Sequence, residues 1–223
     1  LTASSDDTRP VLTGVLCHVY NGELYLAATD GYRLSERRLG KNSDDIKALI
    51  PASTLSDVAR VVPEDCDEVT ILIDDSQVRF RMNDIEVTSR LIEGNFPDYR
   101  QLIPKETEIH ATLSRSEFVR VTKVASLFAR ESGGSVTVAT ESEGQVVSIH
   151  SIASQLGENT SEAAAEVDQS GSVTLNSRYL IEALGCFDKE TIKFGFSGKL
   201  APCVITEVDG SGDYQHIIMP LRS

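Results

Sequence analysis

Nowhere in the 223 residues does an apolar run approach the roughly 18 consecutive positions that mark a membrane-spanning helix. The opening stretch, residues 1–10, has neither the basic nor the apolar region of a signal peptide, so the expected location is the cytoplasm. Cysteine is scarce and dispersed: Cys17, Cys66, Cys186 and Cys203 form no C-x-x-C pair, and no histidine stands at zinc-ligand spacing. The expectation is four buried thiols in a reducing compartment, with no metal and no cofactor. Catalytic signatures are missing too. There is no G-x-S-x-G and no phosphate-binding glycine loop, and none of His18, His110, His150 or His216 lies in a motif with a nucleophile. Asp30-Gly31 is the most tempting acidic site, and a turn between strands explains it equally well. A basic domain is also lacking. The net charge is −13, with 11 basic against 18 acidic residues before Pro104 and 10 against 16 after it, so neither half has the charge to grip DNA.

What is present is core material: 40% hydrophobic and 25% charged residues, enough for one large domain or two ordinary ones. Short alternating runs dominate, as in half-buried antiparallel strands. Residues 11–20 and 24–29 flank Asn21-Gly22, a two-residue hairpin signal. Residues 69–73, 77–82 and 85–91 repeat the design, turning at Asp74-Asp75-Ser76 and Asn83-Asp84. The second half offers strands at 135–140, 146–151, 172–175, 191–196, 203–208 and 214–219, with turns at Glu143-Gly144, Ser170-Gly171 and Asp209-Gly210. Three helices interrupt them. One, 51–62, opens with Pro51 near its first position and stops at Pro63; another, 114–129, opens with Ser114 three residues before Glu117, the spacing of a capping box; the last, 176–187, opens on an Asn cap.

The order of these elements repeats. Residues 51–91 read cap, helix, acidic turn (Glu64 to Glu68) and three strands; residues 176–221 read cap, helix, acidic turn (Asp188 to Glu190) and three strands. Two copies of one α+β domain are expected, 1–92 and 106–223, joined by a linker at 93–105 that holds Gly94, Pro97 and Pro104. The second copy begins with an extra strand and the helix 114–129, which the first lacks, so the chain is expected to start partway into a domain. On a helical wheel Phe118, Val121, Val124, Ala125 and Phe128 share one arc, and Arg120, Lys123 and Arg130 the opposite one. An ordinary solvated face explains that stripe as readily as a phosphate-contacting one.

Arg9 to Leu16, followed by Ala28-Thr29-Asp30-Gly31-Tyr32-Arg33-Leu34, resembles the middle domain of the bacterial β sliding clamp, the processivity subunit of the replicative DNA polymerase. Gly94 to Tyr99 with Ile103-Pro104 resembles that family's interdomain linker, Leu175 to Leu180 its last-domain helix start, and Met219-Pro220-Leu221-Arg222 its C-terminus. The resemblance implies two tandem clamp domains, antiparallel sheets outside with helices on one face. It implies a non-catalytic protein that encircles duplex DNA without reading sequence, meeting phosphates through Arg60, Arg120, Lys123, Arg130 and Arg178. It also implies a groove between middle and last domains that accepts short peptides from the polymerase catalytic subunit, the clamp loader, repair polymerases and ligase. One side of that groove is Arg9, Leu12, Thr29, Gly31, Tyr32, Arg33, Leu34, Pro97 and Leu102; the other is Tyr179, Leu200, Pro202, Ile217, Ile218, Met219, Pro220, Leu221 and Arg222. Apolar and Met-lined walls would bury hydrophobic anchors, with Arg33 and Arg222 binding acidic groups.

Family members close as a ring homodimer, and the matching residues here are Ser126, Leu127, Glu158, Glu162 and Glu166; without a first domain, this chain is expected to be a monomer. A charged edge that protects against aggregation explains the acidic strand as well. Three departures qualify the match. Tyr32 stands where many members have His, Gln101 where a base is common, and Pro10-Val11 where some members carry DNA-touching tyrosines. The rival classes are an enzyme and a scaffold of repeated α+β modules. Retention of the full-length protein on circular DNA, lost on linearisation, separates a clamp from the scaffold.

Overall fold

A computed structural model of the chain describes residues 2–154, 157–208 and 212–222. It divides into two units, Leu1–Pro97 and Asp98–Ser223. The Asp209-Gly210 turn lies outside the described residues.

In the first unit β1 (Gly14–Tyr20), β2 (Glu23–Thr29), β3 (Arg33–Lys41) and β4 (Lys47–Pro51) form an antiparallel sheet in the spatial order β4-β1-β2-β3. Asn21 (φ 52°) and Gly22 (φ 76°) make the β1–β2 turn, both in the left-handed region that a tight hairpin turn requires. A helix, α1 (Ala52–Val61), follows directly, and then a meander of β5 (Thr70–Ile73), β6 (Gln77–Met82) and β7 (Ile85–Arg90). Cys17, Ala48, Ile50, Val58, Val78, Phe80 and Met82 make the core.

The second unit begins with β8 (Ile109–Ser114) and α2 (Arg115–Phe128). Four strands follow, β9 (Ser135–Glu141), β10 (Val146–Ala153), β11 (Gly157–Val167) and β12 (Gly171–Asn176), then α3 (Ser177–Leu184) and a meander of β13 (Thr191–Phe196), β14 (Cys203–Glu207) and β15 (Tyr214–Ile218). Its pairing runs β12-β9-β10-β11-β8-β13-β14-β15. The block β12-β9-β10-β11 has the connectivity of β4-β1-β2-β3, a Greek-key order, and each block leads through a helix into a meander. The repeat expected from the order of elements is therefore a repeat of topology. The fold class is α+β with antiparallel sheets, as expected.

Three readings are corrected. Residues 10–13 form a 3-10 turn, and β1 starts only at Gly14, because Pro10 has no amide to give a ladder and its fixed φ suits a turn. Pro51 closes β4 and sits at the cap of α1 rather than inside the helix. Of the four thiols, Cys17 and Cys203 are buried, and burial pushes them up to about 11 and about 12, whereas Cys66 and Cys186 are half-exposed.

The capping box at α2 is half as expected. The Ser114 hydroxyl accepts from the Glu117 amide at 3.1 Å, but the carboxylate serving the other orphan donors is Glu190, from the acidic turn before β13. Its Oε1 accepts from Ser114 Oγ at 2.6 Å, the Ser116 amide at 3.1 Å and Ser116 Oγ at 2.5 Å. The Ser114 hydroxyl, then the Ser116 donors, hold the Glu190 carboxyl at about 2, below its ordinary 4.5. A carboxyl depressed in the folded state stabilises above its unfolded pKa, and that contribution is lost as pH falls from about 4.5 to about 2. Glu190→Gln should therefore flatten the acid limb of a stability-versus-pH curve across that window, measured by urea unfolding. An unchanged limb would refute the cap.

Candidate functional site

Each helix offers one exposed arginine, and each arginine is paired on its own helix. On α1, Arg60 Nη1 lies 3.4 Å from Asp57 Oδ1; on α2, Arg120 Nη2 lies 2.7 Å from Glu117 Oε2; on α3, Arg178 Nε lies 2.8 Å from Glu182 Oε1. Spacings of three and four residues put acid and base on one helix face. Of the apolar arc on α2, Phe118, Val121 and Ala125 are buried and Val124 and Phe128 half-buried; the helix packs on α3 and on β10 and β11, and Arg120, Lys123 and, just past its end, Arg130 are exposed. Lys123 and Arg130 make no ion pair among the described residues. The basic faces exist, but three of their five charges already have a carboxylate. The sequence reading missed Asp57, Glu117 and Glu182 as partners of these arginines, although the i, i+3 and i, i+4 spacings could have found the pairs.

The first unit's share of the expected peptide-binding residues is built on the β2–β3 turn. Thr29 Oγ1 accepts from the Gly31 amide at 3.0 Å and donates to the Arg33 carbonyl at 2.7 Å. Asp30 Oδ1 accepts from the amides of Tyr32 (2.9 Å) and Arg33 (3.0 Å), and Gly31 supplies the positive φ of 94°. Asp30-Gly31 is thus a turn. Tyr32 projects from it, 58% exposed, with Arg9 exposed nearby, its Nη2 donating to the Asp30 carbonyl. Leu12, Thr29 and Leu34 are buried; Pro97 is exposed. Arg33 corrects the expectation. It is 5% exposed with Nε 3.0 Å from Asp30 Oδ2, so it braces the turn rather than offering an open cation.

In the second unit Leu102 and Leu200 are exposed, Leu200 at 72%, and Tyr179, Pro202, Met219, Pro220 and Leu221 are half-buried. The Leu221 amide donates to the Thr174 carbonyl at 2.8 Å, fixing the terminal segment, and Arg222 is exposed. Ile217 and Ile218 are fully buried strand residues of β15 and cannot present side chains to a ligand while packed so. On β11 the alternation is clean: Glu158, Glu162 and Glu166 are exposed, and Ala163, Ala165 and Val167 buried. Residues 157–164 pair with β10 and only 165–167 with β8. Ser126 is half-buried and Leu127 exposed.

One constellation was invisible to motif reading. Thr107 Oγ1, His110 Nε2, His110 Nδ1 and Asp168 Oδ2 form a line with steps of 2.8 and 2.7 Å, beside a cleft of about 490 Å³ that Lys105 and Lys193 also line. The hydroxyl lies three residues from His110, outside any catalytic motif, and the carboxylate that completes the line comes from 58 residues away and meets the ring only through the sheet. Partial burial works to raise the Asp168 carboxyl, and the His110 amide and ring outweigh it, holding it below the usual carboxylate range. Yet the hydroxyl is hemmed in: a Cβ built on Gly195 would come within 2.5 Å of Thr107 Oγ1. The same carboxylate accepts from the His110 amide at 2.7 Å and the Asp168 amide donates to the His110 carbonyl, so the line clips the end of β11 to the start of β8.

With this geometry in hand, comparison with known proteins is specific. Residues 1–98 match the family model for the DNA polymerase III beta subunit, central domain, and residues 100–222 the model for its C-terminal domain. The beta sliding clamp of Staphylococcus epidermidis is 31% identical over 224 residues, an alignment covering 99% of this chain and 59% of the relative; that of Staphylococcus aureus is 30% identical with the same coverage. Among solved structures, the DNA polymerase III beta chain of Streptococcus pneumoniae superposes with a TM-score of 0.92 at 30% identity, covering 100% of this chain and 60% of that one. The sliding clamp of Bacillus subtilis gives 0.91 at 26% identity, again covering 100% and 60%. The chain thus spans about three-fifths of the length of the relatives it matches.

Proposed function

The chain belongs to the DNA polymerase III beta-subunit family, and from that membership we propose that it supplies two parts of a replication clamp: basic helix faces that meet duplex DNA without reading sequence, and a docking site for short peptides of polymerase and its accessory proteins. The observation that carries the reading is the end-to-end match of two successive clamp domains in their family order. Physical support comes from the helices, whose exposed bases suit transient phosphate contact in a protein with a net charge of −13. For the peptide, the residues fit to take part are those with apolar surface to offer: Tyr32 and Pro97 in the first unit, Leu102, Leu200 and Met219 in the second. Leu34, Ile217 and Ile218 are buried and have no such surface to offer. We assign no catalytic role; processivity, ring closure through Leu127, Glu158, Glu162 and Glu166, and the partners themselves belong to the proposal for the whole protein.

Titrating a fluorescein-labelled peptide copied from the clamp-binding segment of a bacterial replicative polymerase tests the docking site. Leu200→Ala combined with Met219→Ala should raise the Kd at least about tenfold, since hydrophobic anchors dominate such sites and about 1.4 kcal/mol suffices. Equal binding by parent and variant would remove the site assignment, and no binding by either would remove peptide docking altogether.

A further inference from the structure

The three ion pairs on the helix faces recur too regularly to be read only as helix supports. Resting on the DNA-contact reading above, we propose that Asp57, Glu117 and Glu182 act as tethered competitors for DNA phosphate, each holding the arginine one turn away so that contact with DNA stays weak and quickly reversible.

Three observations carry this. First, all three helices have the same device: one exposed arginine, one carboxylate at i±3 or i±4, and an N–O distance of 2.7 to 3.4 Å. Second, helix stability alone is a poor account of one of the three pairs. An acid N-terminal to its base is the better order within a helix, and the α3 pair is reversed, with Arg178 before Glu182. Third, the guanidinium side chains stand 59 to 77% exposed, open to an incoming phosphate. Exposed pairs of this kind are worth about 0–1 kcal/mol, so a phosphate can displace the carboxylate.

The consequence is an exchange of partners. A phosphate that takes Arg120 releases a cation from the DNA, and the freed Glu117 carboxylate, now near a polyanion, takes one up. Net counterion release per paired arginine falls below the ~0.9 expected for an unpaired base. Lys123 and Arg130, which have no such partner among the described residues, are left as the full-strength contacts. An acidic protein thereby keeps positive helix faces without the affinity that would stop it moving along DNA.

The test is anisotropy titration of a labelled duplex with the full chain at several salt concentrations between about 50 and 200 mM. The parent is compared with a triple variant, Asp57→Asn, Glu117→Gln and Glu182→Gln, and with a charge-matched control, Asp75→Asn, Glu141→Gln and Glu143→Gln, whose acids lie away from the helices, in or next to turns between strands. Thermal melts establish that all are folded. The helix triple should bind about tenfold tighter at low salt, with the slope of log K against log salt steeper by up to about 2.7, while the control moves little. Equal gains by helix triple and control would mean that only net charge matters, and overturn the proposal. So would a helix triple identical to the parent. If neither parent nor variants bind duplex DNA with any salt dependence, it is the DNA-contact reading itself that fails.

Discussion

Phe194→Ala should lower the stability of the second unit by about 3–5 kcal/mol, a large share of the 5–15 kcal/mol typical of a folded domain. Phe194 is fully buried in the middle of β13, opposite Ala111 of β8 and Ile205 of β14. Its ring meets Phe118 of α2 edge-on at 5.6 Å and Phe196 at 5.5 Å. Truncation removes the ring contact between β13 and α2, and the strand cannot collapse into the gap because both ladders hold its backbone. Urea unfolding followed by circular dichroism should show a lower midpoint with an unchanged slope. Phe118→Ala should cost a similar amount, and the double variant less than the sum, because the second truncation has no partner ring left to lose. A loss under about 1 kcal/mol for Phe194→Ala would contradict the packing described for this core.

Phe194 illustrates what sequence alone makes legible. In β13, Ile192, Phe194 and Phe196 alternate with Thr191, Lys193 and Gly195, and the period of two is plain because the inward residues are large. In β11 the same alternation is muted: its inward residues toward the C-terminal end are Ala163, Ala165 and Val167, small enough that the run resembles an acidic loop. β3 escaped notice for the opposite reason. Its sequence Arg33 to Lys41 is crowded with charge, and one of the inward positions is itself an acid, Glu36, 5% exposed. Caps and tight turns, by contrast, are local chemistry and could be read directly, as Asn176 accepting from the amides of Arg178 and Tyr179 demonstrates. What pattern reading cannot supply is the meeting of distant residues. Glu190 reaches the start of α2 across 74 positions, and Asp168 reaches His110 across 58. For the basic faces, the wheel revealed the charges and not their neutralisation, since a stripe drawn from bases alone ignores acids one turn away.

Arg33→Ala is the substitution on which the two readings of that residue part. A guanidinium that reached out to a peptide would be lost with little change in stability and a marked loss of binding. The structure gives the reverse expectation. Arg33 is buried and its Nε lies 3.0 Å from an Asp30 carboxylate that is itself mostly covered. Opening a buried pair from one side leaves the other charge uncompensated, and about 3 kcal/mol is expected here, at the low end for such pairs. The low end applies because Asp30 keeps its hydrogen bonds from the backbone amides at positions 32 and 33, which alanine retains. A double-mutant cycle with Asp30→Ala should return a coupling above about 1 kcal/mol. Peptide binding, measured well below the variant's unfolding midpoint, should fall less than with Leu200→Ala and Met219→Ala, since Arg33 acts by holding the turn that presents Tyr32. An unfolding midpoint unchanged within about 0.5 kcal/mol, together with abolished peptide binding, would restore Arg33 as a group that faces the ligand.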